Sequence, residues 1–329
     1  MVSMSTGAVI RVKNVSKLYS TKRGIRSILT GVPTVLRAVD GISFDISRGE
    51  ILGLVGESGC GKTTTGRIVI RLVRLTSGKV FLEDSDVFAL QGPELKQFRR
   101  RAQIVFQDPY DSLNPRMTVR AMFTEALRTH GMTNGTDEAV LGALEEVGLT
   151  PPEEYAPRYP HEMSGGQRQR VALARALILR PEFVVADEPV SMLDASIRAG
   201  ILNLLLDLRS RHGLSYLFIT HDLAVAEHIS DRIAVMYLGK IVEIGPTQHV
   251  ILESYHPYTK ALAAAVPSPD PRHKISDIPI KGDIADPTNI PSGCRFRTRC
   301  PYVMEICARV EPPLDPVDWE HKVACHLYD

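Results

Sequence analysis

Gly56-Glu57-Ser58-Gly59-Cys60-Gly61-Lys62-Thr63 follows directly on the apolar run Ile51-Leu52-Gly53-Leu54-Val55. This is the spacing of a phosphate-binding loop that a buried strand delivers and a helix continues. Glycines let successive backbone N–H groups close around phosphate oxygens, Lys62 reaches the outer phosphates, and the Thr63 hydroxyl ligates Mg²⁺. Thr64 continues into the helix, whose positive end faces the same anion. Gly56, Ser58, Gly59, Cys60, Gly61, Lys62, Thr63 and Thr64 are therefore the candidate residues for a nucleoside triphosphate. Cys60, beside Lys62 and a helix start, is expected to favour the thiolate and to be alkylated unless nucleotide covers it.

On either side of this loop the pattern is that of an α/β chain. Ile42, Phe44 and Ile46 alternate with polar residues as in a half-exposed antiparallel strand, whereas 52–55 reads as a fully buried one. A helix is predicted over 62–75, then a Ser77-Gly78 turn, a strand near 79–82 and a helix ending at Arg101. The cluster Arg99-Arg100-Arg101 reads as a solvated helix end. Ile104-Val105-Phe106 is a buried strand that stops at Gln107. Between Asp108 and Glu162 the pattern turns helical and is broken by Pro109, Pro115, Pro151, Pro152, Pro157 and Pro160, which predicts an inserted helical subdomain at about 108–172. Buried strands resume at 183–186 and 216–220, and the runs 233–237 and 240–244 flank Leu238-Gly239 as a hairpin. After Tyr255 the chain becomes rich in Pro, Asp and Cys. The reading is a P-loop nucleotide-binding domain at 1–254, with an antiparallel β subdomain, and a smaller unit at 255–329.

Composition narrows the function. The 329 residues carry 39 Lys plus Arg against 38 Asp plus Glu, which argues against a general nucleic-acid or polybasic membrane surface. No apolar stretch reaches bilayer-spanning length and residues 1–10 lack a signal-peptide pattern, so a soluble, cytosolic chain is expected. One of its five cysteines lies in the phosphate loop and four in the last thirty-six residues, a spacing that in a reducing compartment suggests metal over disulfides.

Phe183-Val184-Val185-Ala186-Asp187-Glu188 ends an apolar strand in two carboxylates, and in a parallel sheet that end faces the phosphate loop. Asp187 is the candidate for holding Mg²⁺, and Glu188 for polarising the water that attacks the terminal phosphate. His221, after the strand 216–220, is the candidate phosphate sensor. Ser164-Gly165-Gly166-Gln167 opens an Ala- and Leu-rich helix as a capping box. Two adjacent glycines in a first turn cost about 1 kcal/mol each relative to Ala. Local stability does not explain them, and close approach to a phosphate does. Since this chain already owns one phosphate loop, that phosphate would lie on a second subunit.

With these motifs in place, residues 9–255 resemble the ATP-binding subunits of ABC transporters. Ser164 to Gln167 stand at that family's signature, preceded here by Met163 in place of the usual Leu. The resemblance implies that Gln107 is the Q-loop residue, touching Mg²⁺ and the membrane subunits, and that His221 is the switch histidine. It further implies that Ser191-Met192-Leu193-Asp194 is the D-loop, with Met192 where a small residue is common, and that Tyr19 stacks on adenine. It makes the chain an ATPase working as a dimer, with Lys62 and Glu188 of one subunit facing Ser164 and Gly166 of another across each ATP. A soluble ATPase of DNA repair or translation shares the Ser164 signature. Translation factors usually carry two such domains and repair proteins long insertions, and this chain has neither.

His256-Pro257-Tyr258-Thr259, the Pro-rich tail and the stretch between Tyr19 and Val35 resemble the oligopeptide and dipeptide importer ATPases, in particular the second of their two ATPase types. Implied partners are two permease subunits, a second ATPase and, indirectly, an extracytoplasmic solute-binding protein, with this chain peripheral on the cytoplasmic membrane face. The same resemblance favours a [4Fe–4S] cluster on Cys294, Cys300, Cys307 and Cys325, whose gaps of five, six and seventeen residues lack the tight knuckles of zinc sites. Arg295, Arg297 and Arg299 are suited to compensating its negative charge. With the ATP loop and the cysteines in separate units, losing the cysteines is expected to change nucleotide affinity little.

Overall fold

The computed structural model describes residues 7–21, 34–265, 280, 286–318 and 320–329. Residues 22–33, part of the stretch used in the importer resemblance, lie outside this set. The strands are β1 (Ala8–Thr21), β2 (Thr34–Ser47), β3 (Ile51–Val55), β4 (Ser77–Leu82), β5 (Ser85–Asp86), β6 (Ala102–Val105), β7 (Phe183–Asp187), β8 (Ser215–Thr220), β9 (Arg232–Tyr237), β10 (Lys240–Pro246), β11 (Asp315–Pro316) and β12 (Lys322–Val323). A four-stranded sheet has the order β2-β1-β4-β5. In β2 the alternating Ile42, Phe44 and Ile46 are all buried, as their period of two requires.

The chain forms two compact units, one of residues 1–10, 45–50 and 81–219, the other of 11–44, 51–80 and 220–329. These units do not follow the sequence-based division at 254/255. The loop after β3 and the cysteine-bearing C-terminal segment belong to one unit.

In the first unit β6, β7 and β8 run parallel, with Val105 opposite Ala186 and Asp187 opposite Ile219. All five residues of β7 are buried, which is why it reads as an unbroken apolar run ending in an acid. The helical insertion is present, with helices Val119–Thr129 and Thr136–Glu146 and the capped helix Gly165–Leu177. Arg101 departs from the solvated helix end expected of its triplet. It bonds Glu182 through Nε at 2.7 Å and Glu83 through Nη2 at 2.7 Å, and the pairing of β6 with β7 brings the Glu182 carboxylate within its reach.

In the second unit β3 and β9 are parallel, β10 pairs antiparallel with β9, and β12 adds to β10 with β11 beyond it. The predicted hairpin turn is Leu238-Gly239, at φ 43° and 84°. Positive φ at both central residues matches the twist of the flanking strands. The helix after the loop is shorter than predicted, Lys62–Val69 in place of 62–75. Arg71 turns left-handed at φ 56°, and the Leu72 N–H caps the Arg67 carbonyl at 2.8 Å. Tyr237, Tyr258 and Phe296 form the aromatic centre of this unit's core, with Tyr237 and Phe296 edge to face at 5.3 Å. Burying Phe296 contributes about 1.5–3 kcal/mol and pins the cysteine-bearing segment to the β3–β9 layer.

Candidate functional site

The loop between Gly56 and Thr63 has the form that phosphate binding requires. Gly59 and Gly61 have φ of 79° and 111°, values that side-chain-bearing residues rarely adopt. A Cβ on Gly61 would lie 2.1 Å from the Ala38 carbonyl oxygen, whereas one on Gly59 would meet nothing within 4 Å. Gly61 is thus fixed by packing, and Gly59 leaves the mouth of the loop open. Gly61 caps the helix Lys62–Val69 without a side-chain hydrogen bond, so no side chain competes there with an anion for the first-turn N–H groups. Lys62 is buried, and its ammonium donates to the Gly56 carbonyl at 2.7 Å and the Glu57 carbonyl at 3.0 Å. Ser58 is exposed; Thr63 and Thr64 are half-buried in the first helical turn.

Cys60 corrects its sequence reading. Its side chain is buried, and burial pushes the thiol up despite the opposing charge of Lys62. Desolvation outweighs the helix end, so its contribution to the loop is backbone and bulk and not a reactive thiolate.

Glu57 is held from the C-terminal segment. Its N–H donates to Tyr258 Oη at 2.8 Å, and its carboxylate accepts from Arg299 Nη1 and Nη2 at 2.8 and 3.0 Å. Sequence reasoning missed both partners, which stand 201 and 242 residues away along the chain. The only signal was the run His256-Pro257-Tyr258-Thr259, where His256 caps the helix Pro257–Ala264 and so orients Tyr258. The expectation that the cysteine segment stands apart from the loop is therefore overturned.

In the other unit Gln107 and Glu188 come together. Gln107, two residues past β6, donates through Nε2 to Glu188 Oε2 at 3.0 Å. Asp187, the last residue of β7, is buried. Glu188 has φ 48°, costly for a residue with a Cβ and worth about 1–3 kcal/mol of strain. Its N–H donates to the Ile219 carbonyl at 2.9 Å, while Ser191 returns N–H and hydroxyl bonds to its carbonyl. The kink is thus over-determined, and it turns the carboxylate to the Gln107 amide.

Ser164 caps the helix Gly165–Leu177. Its hydroxyl accepts from the Gln167 N–H at 3.3 Å, and Gln167 Oε1 accepts from the Ser164 N–H at 2.9 Å. The two glycines differ. A Cβ on Gly166 would lie 2.8 Å from Ile197 Cγ2, so packing against the helix Ala195–His212 already demands glycine there. A Cβ on Gly165 would find its nearest neighbour, Leu193 Cδ2, at 3.9 Å. Packing thus accounts for the glycine at 166 and leaves the glycine at 165 unaccounted for. Met163 is buried and Met192 exposed, and Asp194 caps Ala195–His212 by accepting from the Ile197 N–H at 3.1 Å.

His221 follows β8 and is exposed. Tyr19 is near the end of β1, exposed, with the Lys17 ammonium 4.7 Å from its ring centre.

The four tail cysteines share one neighbourhood, with the Cys294 N–H bonded to the Cys307 carbonyl at 2.8 Å. Burial pushes the Cys294 and Cys325 thiols up to about 11 and raises Cys300, and the adjacent thiols add to each shift. Among the described residues no three His, Cys, Asp or Glu side chains are arranged to hold a metal ion. The flanking arginines are not the charge compensation expected of them. Arg295 pairs with Asp40 and Glu311, Arg299 with Glu57, and Arg297 bonds Ser292.

Comparison with known proteins fits this geometry. Residues 39–191 match the ABC transporter family, and 242–307 match the family "Oligopeptide/dipeptide transporter, C-terminal region". The chain is 47% identical over 322 residues to the "Probable peptide ABC transporter ATP-binding protein y4tS" of Sinorhizobium fredii, covering 97% of this chain and 90% of that protein. It is 44% identical to the "Oligopeptide transport ATP-binding protein AppF" of Bacillus subtilis over the full length of both. Among solved structures, the dimeric bacterial ABC transporter cassette MJ0796 aligns with a TM-score of 0.62 at 30% identity, covering 72% of this chain and 98% of that one. A dimeric post-hydrolysis state of the same cassette, bound to ADP and Pi, aligns with a TM-score of 0.61 at 29% identity over the same shares. The chain belongs to the ATP-binding subunits of ABC transporters and is an ATPase of that class. Neither the families nor these relatives support the soluble DNA-repair or translation alternative. Among the described residues no helix is long and apolar enough to cross a membrane.

Proposed function

We propose that this chain hydrolyses ATP to drive a peptide importer. The observation that carries the hydrolytic reading is the 3.0 Å bond between Gln107 and Glu188 at the ends of adjacent parallel strands, with Glu188 held in a strained kink. In this reading Tyr19 stacks on adenine, and Gly56, Ser58, Gly59, Cys60, Gly61, Lys62, Thr63 and Thr64 hold the phosphates. Thr63, Gln107 and Asp187 hold Mg²⁺, which would neutralise charge developing on the phosphates. Glu188 orients and deprotonates the attacking water, and His221 senses the terminal phosphate. Ser164, Gly165, Gly166 and Gln167 of a second, paralogous subunit close over the nucleotide, a reading supported by the dimeric cassette. Closure on ATP and opening after hydrolysis form the two-state element that drives the membrane partners.

The matched C-terminal family and the relatives named for peptide transport support the cargo. The partners are then two permease subunits and an external solute-binding protein, with this chain peripheral on the cytoplasmic membrane face. The test is purification of the tagged chain from its own membranes in mild detergent. Two integral-membrane subunits should co-purify, and peptide-loaded binding protein should raise ATP hydrolysis in proteoliposomes. Stimulation by nickel or a sugar and not by peptides overturns the cargo; hydrolysis that no membrane subunit affects overturns the motor role.

The cluster reading for Cys294, Cys300, Cys307 and Cys325 rests on the resemblance to the importer ATPases and on the cysteine spacing alone, since among the described residues no three such side chains are arranged to hold a metal ion. When bound it would tie the tail loops together. Anaerobically purified protein should contain iron and sulfide, lost together on any Cys→Ser change. Stoichiometric zinc, or no metal, refutes the cluster.

A further inference from the structure

Glu57 puts a carboxylate in a loop that must attract a polyanion, and the structure shows how it is accommodated. All three of its polar groups are engaged. Its N–H is bonded to Tyr258 Oη and its carboxylate is gripped by both terminal nitrogens of Arg299. Its carbonyl accepts from the Lys62 ammonium, the group that meets the phosphates. Arg299 is 7% exposed, and its guanidinium lies 5.9 and 5.8 Å from the ring centres of Tyr237 and Phe296. Its own N–H is tied to the Phe296 carbonyl at 2.9 Å, in the turn that ends at Cys300. Tyr258 packs on Tyr237 at 4.8 Å and on Phe296 at 5.4 Å. A fork held this firmly both neutralises Glu57 and fixes the carbonyl on which Lys62 rests.

We propose that Arg299 and Tyr258 are positioning residues for the nucleotide loop, so that the cysteine-bearing segment sets the affinity of Gly56–Thr63 for the phosphates of ATP. The proposal rests on the loop being the ATP site. Without Arg299 a half-buried carboxylate stands uncompensated within the loop that takes the phosphates. Without the Tyr258 hydroxyl the Glu57 N–H loses its acceptor and the loop its alignment. Both losses act on ground-state affinity and leave the chemistry at Glu188 unchanged.

The test uses the full-length purified protein, a fluorescent ATP analogue and steady-state hydrolysis, with thermal unfolding of every variant. Arg299→Met should weaken nucleotide binding about tenfold, equivalent to ~1.4 kcal/mol, with kcat at saturating ATP changed less than twofold. Raising salt from 0.1 to 1 M, which shortens the screening length from about 10 to 3 Å, should narrow the gap to wild type. Adding Glu57→Gln to Arg299→Met should restore affinity to within about threefold, since the charge it leaves uncompensated is gone. Tyr258→Phe, which keeps the ring packing, should weaken binding about three- to tenfold. Wild-type affinity in both Arg299→Met and Tyr258→Phe overturns the proposal. So does a double variant no better than Arg299→Met, which would mean that Arg299 serves folding alone. Lys62→Ala separates the two readings. If it too binds ATP normally, the loop is not the ATP site; if it alone loses binding, the site stands and only the brace falls.

Discussion

Gly166→Ala separates what the signature glycines do for the fold from what they do for the nucleotide. The added methyl would lie 2.8 Å from Ile197 Cγ2 and 3.3 Å from its Cδ1, against a comfortable carbon separation of about 3.5–4.0 Å. Overpacking of this kind costs about 1–3 kcal/mol. Alanine returns at most ~1 kcal/mol of helix propensity. The net expectation is about 0–2 kcal/mol of destabilisation, read as a lower urea midpoint. Ile197→Ala removes the obstacle. Because Ile197 is only half-buried, it should cost about half of the 2–5 kcal/mol of a fully buried deletion. In the double variant the new methyl occupies space the isoleucine vacated, so the two losses should fall short of their sum by about 1–2 kcal/mol. Strict additivity would refute the packing account of Gly166. Gly165→Ala has room for its methyl, so it should shift stability by less than about 1 kcal/mol. It should instead lower ATP hydrolysis of the assembled complex, as close approach to a phosphate requires.

Glu188→Gln keeps an acceptor for the Gln107 amide but cannot take a proton, so kcat should fall about 10²–10⁴-fold with nucleotide binding retained; near-normal turnover in the purified complex would sink this carboxylate's role. Cys60 should resist alkylation with and without Mg-ATP, because its thiol is buried and neutral; peptide mapping that finds rapid modification would contradict the loop packing. Arg101 and then Arg48 hold the Glu182 carboxyl below its ordinary 4.5. That contribution is present above pH 4.5 and is lost as pH falls through the lowered value, so Arg101→Met and wild type should differ in stability at pH 7 and converge in acid. His321→Ala should destabilise by about 1–3 kcal/mol, since it removes the 2.8 Å partner of the fully buried Glu243, which keeps the Tyr255 and His256 N–H groups; a denaturation midpoint within error of wild type would contradict this.

What could be read from the sequence was what neighbouring residues decide among themselves. The phosphate loop, the five-residue buried strands β3 and β7, the capping box at Ser164 and the Leu238-Gly239 turn each depend on conformations that a few adjacent residues either permit or forbid. Gln107 was identified by resemblance and Glu188 from the two carboxylates that end an apolar strand, and their meeting follows from β6 and β7 being parallel neighbours in register. The misreadings arise where a local turn or the packing of the fold overrides the propensity of the string. The helix after Lys62 stops at Val69 in spite of the apolar residues beyond it. The Cys60 thiol is buried where its local charges suggest a thiolate, and Gly166 answers to Ile197, thirty-one positions away along the chain.

The cysteine segment carries this furthest. Three arginines interleaved with cysteines suggest charge compensation for a metal–sulfur group when the string is read alone. The fold instead spends two of them on Asp40, Glu311 and Glu57. A bidentate pair on Glu57 is possible only because Phe296, edge to face with Tyr237, sets the turn in which Arg299 sits, and because β9 places Tyr237 beside the strand that delivers the loop. The same packing that buries the tail therefore brings its charge to the nucleotide loop. Loosening the turn that ends at Cys300 would move Arg299, and a change in ATP affinity would report it.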